Sequence, residues 1–437
     1  MNYNYSDLQA QLPPERVLTA PADLMVYGQD GTWLFARPDL VIFPRTAEEV
    51  VTVVSWAQAH RVPVIPRGAA TGLSGGVVPE RGGIVLNLVH MDRILQVDAR
   101  NHFAIVQPGV VNADLQEATA PYGLFFPPDP ASWTASTLGG NIATNAGGPR
   151  CLKYGVTRDY VLGLTVVLAD GQMQRLGAWG RGDSPDTPLL DLIIGSEGTL
   201  AVVVEAMVRL LPKPPAQATV MAIYEQIADA AQAVNTVLEA GIVPLTSEIM
   251  DGNAIRAVED FLHLGLPRDA DALILIAVNG EPDEVTATSQ RVETICREAG
   301  ARTVQRAITP AEEERLWKAR RSISGATGRI GRNKFSEDIC VPRSQVPTMV
   351  RRIKEVAAEQ NLPLVLFGHI GDGNLHPNFV FDLRDDDQVR RVWQGMKEIL
   401  IATVELGGTL SGEHGIGLMK RSFLPLAVDP PALTKMR

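Results

Sequence analysis

Two hydrophobic periods alternate along this chain. Leu40 to Phe43 is a short apolar run that reads as a strand. Ala47 to His60 repeats apolar residues at helical spacing behind Thr46, a residue suited to an N-cap. Val62 to Ile65 and Ile84 to Leu88 follow as strands, and Val161 to Leu168 and Leu200 to Leu210 as longer ones. Pro212 to Pro215 reads as a linker. Beyond it come strands at 220–224, 273–278 and 303–307, alternating with helices at 228–240 and 285–299. That order is the split βαβ pattern, which predicts an antiparallel sheet covered by helices. Further on, apolar Leu362 to Phe367 and alternating Asn378 to Phe381 flank GHIGDGNLH, Gly368 to His376. The pair reads as a hairpin with His369 and His376 near its tip, close enough to share one ion. A long helical pattern then leads to SGEHGIG, Ser411 to Gly417. The fold class is α+β.

Composition narrows the function. At 437 residues and 45% hydrophobic the chain can bury a large core, and its length favours two or three domains. A net charge of -10 argues against a nucleic-acid or anionic-membrane partner held by charge. The N-terminus has no basic region followed by an apolar run. The longest apolar run, near Ala272 to Val278, is too short to span a bilayer. Cys151, Cys296 and Cys340 are widely separated, so neither a disulfide framework nor an iron–sulfur cluster is available from them. The expectation is a cytoplasmic protein, with peripheral membrane association left open.

Three of the seven histidines fall in the two glycine-flanked motifs. His369, His376 and Glu413 form a two-histidine, one-carboxylate set with a position left open, the arrangement of a catalytic divalent-metal site. Zinc suits those ligands; manganese and iron remain alternatives. His414, beside Glu413, is then available as a base. His60, His90, His102 and His263 lie outside the motifs and read as structural or solvated, and Asp372 between two glycines reads as a turn former. Arg320 and Arg321 share a helical stretch with Glu312 to Glu314, where surface ion pairing is the ordinary outcome. Asn378, two residues past His376, can complete the pocket.

In the first half, Pro66 to Gly76 and Gly139 to Gly148 are dense in glycine, with Thr71 and Ser74 as hydroxyl donors. Such loops make anion-binding concavities suited to a pyrophosphate, although ordinary turns of a β-rich domain have the same composition. No G-x-G-x-x-G follows a strand and no G-x-x-x-x-G-K occurs, which counts against nicotinamide and P-loop sites.

PRGAATGLSGG, FPPDPASWTASTLGGNIATNAGG, CLKYGVTRDY and IGSEGTL resemble, in order and spacing, the FAD-binding domain of the vanillyl-alcohol oxidase/p-cresol methylhydroxylase flavoproteins. GHIGDGNLH and SGEHGIG resemble the matching cap domain of the D-2-hydroxy acid dehydrogenase branch, which holds FAD subunits of glycolate oxidases, D-lactate dehydrogenases and D-2-hydroxyglutarate dehydrogenases. The resemblance implies an N-terminal segment at 1–36, a two-part FAD-binding domain at 37–213 and a substrate- and metal-binding cap domain at 214–424. It also implies a terminal segment, starting at 425, that returns to the flavin and is here apparently truncated. By resemblance, FAD contacts fall on Arg67, Gly68, Ala69, Ala70, Thr71, Gly72, Leu73, Ser74 and Gly75 of the first loop. Further contacts fall on Pro128, Asp129, Gly139, Gly140, Asn141, Asn145 and Gly147, then on Tyr154, Gly155, Gly195, Glu197 and Gly198. Relatives with covalent FAD carry a histidine in the first loop; Ala70, Thr71 and Gly72 stand there instead, so non-covalent FAD is implied. Arg320 matches the family's substrate-carboxylate arginine, and Ser324 and Lys334 fall where relatives place further substrate contacts. The implied activity is FAD-dependent oxidation of glycolate or D-lactate to the 2-oxo acid. D-2-hydroxyglutarate oxidation and a non-catalytic flavoprotein subunit are the alternatives. An iron–sulfur or other electron-accepting subunit is the implied partner, with a homo-oligomer left open.

Overall fold

The computed structural model describes residues 3–180 and 188–436. The chain divides into two compact units. The first comprises Met1–Gly148, Gly155–Lys213 and Glu413–Met419; the second comprises Pro149–Tyr154, Pro214–Gly412 and Lys420–Arg437.

The first unit is built on two sheets. Thr46 caps the helix Ala47–His60 by accepting from Glu49 N, and Arg61 ends it in the left-handed conformation. The apolar stripe Val50, Val53, Trp56 and Ala57 packs on Leu40, Ile42, Ile84 and Leu86, with Val167, Val202 and Val204 in the same core. Full burial of each such side chain contributes about 1.5–3 kcal/mol. Strand Ile84–Asn87 pairs in parallel with Leu40–Ile42 on one side and Val64–Arg67 on the other. The second of these runs two residues later than its apolar pattern suggests, because pairing Arg67 with Asn87 carries the ladder into the glycine-rich loop. A five-stranded antiparallel sheet follows, in the order Ile94–Asp98, Phe103–Val106, Ala201–Arg209, Val161–Leu168, Met173–Gly177.

The small-residue patch from Thr137 onward is not a loop throughout: Leu138–Thr144 is a helix capped by Thr137. Its glycines permit close approach, since a Cβ on Gly139 would stand 2.6 Å from Pro108 Cβ.

The second unit is an eight-stranded, wholly antiparallel sheet. Its strands run Thr303–Ala307, Ala216–Tyr224, Ala272–Gly280, Thr246–Asp251, Leu364–His369, Asn374–Phe381 and Asn333–Ser336, with Ile339–Cys340 also pairing Asn374–Phe381. The first four strands are in split βαβ order; one of them, Thr246–Asp251, is a strand that the hydrophobic pattern does not mark. Helices Ile227–Glu239, Pro282–Glu298, Val346–Glu359 and Asp386–Glu405 cover one face. Gly252–Leu262, Pro310–Arg321 and Ile323–Thr327 pack on the other, around Met221, Met250, Leu273, Leu275 and Val365.

Candidate functional site

The first unit holds a cavity lined by Arg67, Gly68, Ala69, Ala70, Thr71, Gly72, Leu73 and Ser74, by Gly139, Gly140 and Asn141, and by Glu197 and Gly198. Glu413 and His414 line it as well. They are held there by Glu197, whose carboxylate accepts from Ile416 N at 2.6 Å and Gly417 N at 2.8 Å. Glu197 therefore borders the cavity while its charge is spent on tethering the 413–419 segment. Arg67 is buried, donates to Gln29 O at 2.7 Å and lies over the Tyr27 ring. Burial pulls its pKa down, against the pull of Asp30.

Gly75, Pro128, Asp129, Asn145, Gly147, Gly155 and Gly195 do not line this cavity. Asn145 ends the Leu138–Thr144 helix at φ 51° and accepts from Arg158 N. Gly155 and Gly195 have positive φ, and a Cβ on Gly155 would strike Asp159. Tyr154 belongs to the second unit, where its hydroxyl accepts from Asn279 Nδ2 at 3.1 Å. Pro130, Ala131, Ser132 and Ser136 line the cavity as well; they lie within the FPPDPASWTASTLGGNIATNAGG stretch but are not among the contacts expected from it.

The cavity suits a large polar ligand such as FAD. Ser136 Oγ and Asn141 Nδ2 are buried in its wall without a hydrogen-bond partner among the described residues. Burying such groups unpaired is costly, so a bound ligand that bonds them is favoured.

In the second unit a polar row crosses the sheet face that is otherwise apolar. In the hairpin, Phe367 pairs with His376 and His369 with Asn374. The two histidines are thus diagonal neighbours on one face, with ring centroids 5.1 Å apart. On the next strand Glu248 stands directly opposite His369, and His369 Nδ1 lies 2.6 Å from its Oε1. Arg320 Nε donates to Glu248 Oε2 at 2.6 Å, and its guanidinium lies over the Phe367 ring. Burial pushes the Glu248 carboxyl up, but Arg320 and His369 outweigh it and hold the group below the usual carboxylate range. Arg320 is bonded to no other acceptor among the described residues. Its neighbour Arg321 is the surface-paired one, bridged to Glu314.

Asn378 Nδ2 donates to His376 O at 2.7 Å, while its buried Oδ1 has no partner among the described residues. Lys334 donates to Ser324 Oγ, and burial draws its pKa down. Arg320, His369, His376 and Asn378 are thus brought to one face, with Lys334 and Ser324 bonded to each other. Asp372 shapes the turn by accepting from Asn374 N.

His376 Nδ1 lies 3.6 Å from Asp338 Oδ1. Each histidine of the pair therefore has a buried carboxylate on its Nδ1 side, the surroundings of metal-binding imidazoles. The donor set fits a divalent ion. Asp338 also accepts from Ser411 Oγ and Gly412 N, and buried Lys420 donates to its carbonyl while pairing with Glu337. Neither Glu248 nor Asp338 stands out in a motif. The available signal is an acidic residue inside an otherwise buried strand, as in Thr246–Asp251.

Known proteins match this chain over nearly its whole length. The model "FAD binding domain" matches residues 38–177, and "FAD linked oxidases, C-terminal domain" matches residues 213–437. The glycolate oxidase subunit GlcD of Bacillus subtilis is 43% identical over 425 residues, covering 97% of this chain and 90% of the relative. A D-lactate dehydrogenase of Anaerostipes hadrus is 33% identical, covering 96% and 90%. Among solved structures, p-cresol methylhydroxylase superposes with a TM-score of 0.82 at 16% identity, over 98% of this chain and 92% of that one, a likeness of fold.

Proposed function

Because the chain belongs to the family of FAD-linked oxidases, we propose that it oxidises a small D-2-hydroxy acid, glycolate or D-lactate, to the 2-oxo acid. The observation that carries the reading is Arg320, a buried guanidinium that among the described residues is bonded only through Nε, which leaves its terminal nitrogens to grip a substrate carboxylate. Asn378, on the same sheet face as His376, supplies a buried amide oxygen. His414, on the wall of the FAD cavity, takes the hydroxyl proton.

The Arg67–Ser74 loop and the Gly139–Asn141 helix turn would hold FAD non-covalently, and FAD when bound would supply the acceptor for the hydride lost from the α-carbon. His369 and His376, with Glu413 added by the sequence motif, would hold a divalent ion, zinc or alternatively manganese or iron, which lowers the pKa of the substrate hydroxyl. The ligand role of Glu413 rests on its motif alone.

Reduced flavin needs an acceptor, and the three cysteines are scattered and form no disulfide, too dispersed to hold a cluster, so electrons pass to a partner subunit that carries an iron–sulfur or similar centre. No helix among the described residues is long and apolar enough to cross a membrane.

A second reading has one observation in its favour. Lys334, bonded to Ser324, offers a second cation, as a distal carboxylate such as that of D-2-hydroxyglutarate requires. An anaerobic flavin-bleaching screen of glycolate, both lactates and D-2-hydroxyglutarate separates the two. Bleaching by none of them refutes both.

A further inference from the structure

We propose that Glu248 is a positioning residue that sets the tautomer of His369 and the orientation of Arg320 at once. The inference rests on the reading of His369 as a metal ligand and Arg320 as the substrate-carboxylate arginine.

Glu248 sits mid-strand in Thr246–Asp251, all six residues of which are buried, and is itself 1% exposed. A carboxylate in that position carries a heavy desolvation penalty, so an apolar residue would serve the sheet better. Its two oxygens are divided. Oε1 faces His369 Nδ1 and Oε2 accepts from Arg320 Nε, both at 2.6 Å.

The division has chemical consequences. A carboxylate ion-paired to a guanidinium is an acceptor only, so His369 Nδ1 must carry hydrogen. In the neutral ring the lone pair then resides on Nε2, the form needed to ligate a cation. On the other side, commitment of Nε fixes the guanidinium plane, and the Phe367 ring lies against it. The two terminal nitrogens are then presented as a rigid fork toward the substrate carboxylate. Glutamine has one acceptor oxygen and cannot serve both donors. Aspartate keeps the charge but is one methylene too short to span them.

The test uses the full-length chain with Glu248→Gln and Glu248→Asp. Three quantities are read: zinc affinity by chelator competition, KM and kcat for the hydroxy acid that bleaches the wild-type flavin, and FAD stoichiometry. Glu248→Gln is expected to weaken zinc binding about 10- to 100-fold. It should also raise KM by about tenfold or more, as lost uniform binding does, with FAD content unchanged. Glu248→Asp, which keeps a charge against Arg320, should show smaller losses of the same kind. It is the variant to read where Glu248→Gln does not fold. A folded variant with wild-type zinc affinity and KM overturns the proposal, as does a lowered melting temperature with both unchanged. Wild-type chain that binds no zinc and is bleached by no hydroxy acid overturns the underlying reading as well, in an arm that needs no variant.

Discussion

His376 is the cross-strand partner of Phe367, two residues short of His369, and that offset sets the two imidazoles diagonally across one sheet face. A direct pairing would have pressed the rings together. The diagonal leaves a space between them that an ion can fill.

The hairpin turn that sets this register depends on Gly373. Its φ is 86°, and an added Cβ would stand 2.1 Å from Val341 O. Gly373→Ala is therefore expected to cost more than about 1 kcal/mol, from positive φ and the backbone clash together. Bound metal should fall with it while FAD content holds. Denaturant unfolding and metal analysis check this, and wild-type values in both would show that the turn is not required.

His376 and His414 should fail differently. His376→Ala is expected to lower metal content and activity together. His414→Ala should keep both metal and FAD and lose about 10²–10⁴-fold in the rate of flavin reduction, the usual worth of a positioned base. Stopped-flow reduction with metal analysis decides, and loss of metal in His414→Ala would reverse the assigned roles.

The FAD should leave the protein on acid precipitation, since no histidine stands among the residues from Arg67 to Gly76. Yellow supernatant over a colourless pellet is the expected outcome. A yellow pellet means a covalent link elsewhere.

Asp251 should make stability fall as pH rises toward neutrality. It is buried, caps the Gly252–Leu262 helix by accepting from Ala254 N, and burial pushes its pKa up to about 7. Between the unfolded value of 3.8 and about 7 the native state holds a proton that the unfolded chain has released. Stability is then lost with rising pH across that window, by at most about 4 kcal/mol for a shift of this size. Asp251→Asn, an equally good cap, should be flatter over the same range. Urea unfolding at both ends of the window checks the difference, and parallel curves would sink the assignment.

Much of this protein was legible in its sequence because the signals are local. The Thr46 cap, the helix behind it, the split βαβ order and the His369–His376 hairpin each follow from period and turn chemistry within a short stretch. One nearby feature departs from its local signal: glycine in Leu138–Thr144 suggests a loop, whereas the segment is a helix capped by Thr137, with Gly139 packed closely on Pro108. Glu248 and Asp338 were invisible because their importance lies in partners 121 and 73 positions away, His369 and Ser411. Likewise, residue pattern and helical spacing do not separate Arg320 from Arg321; the family resemblance and the fold do. Adjacent on one helix, they differ in which side faces the sheet, so one meets a buried carboxylate and the other meets solvent and Glu314. Pattern in the chain determined which elements form and where glycine must stand. Which charged groups are desolvated together was decided by strand register and helix facing, because burial is a property of the assembled sheet and not of any segment.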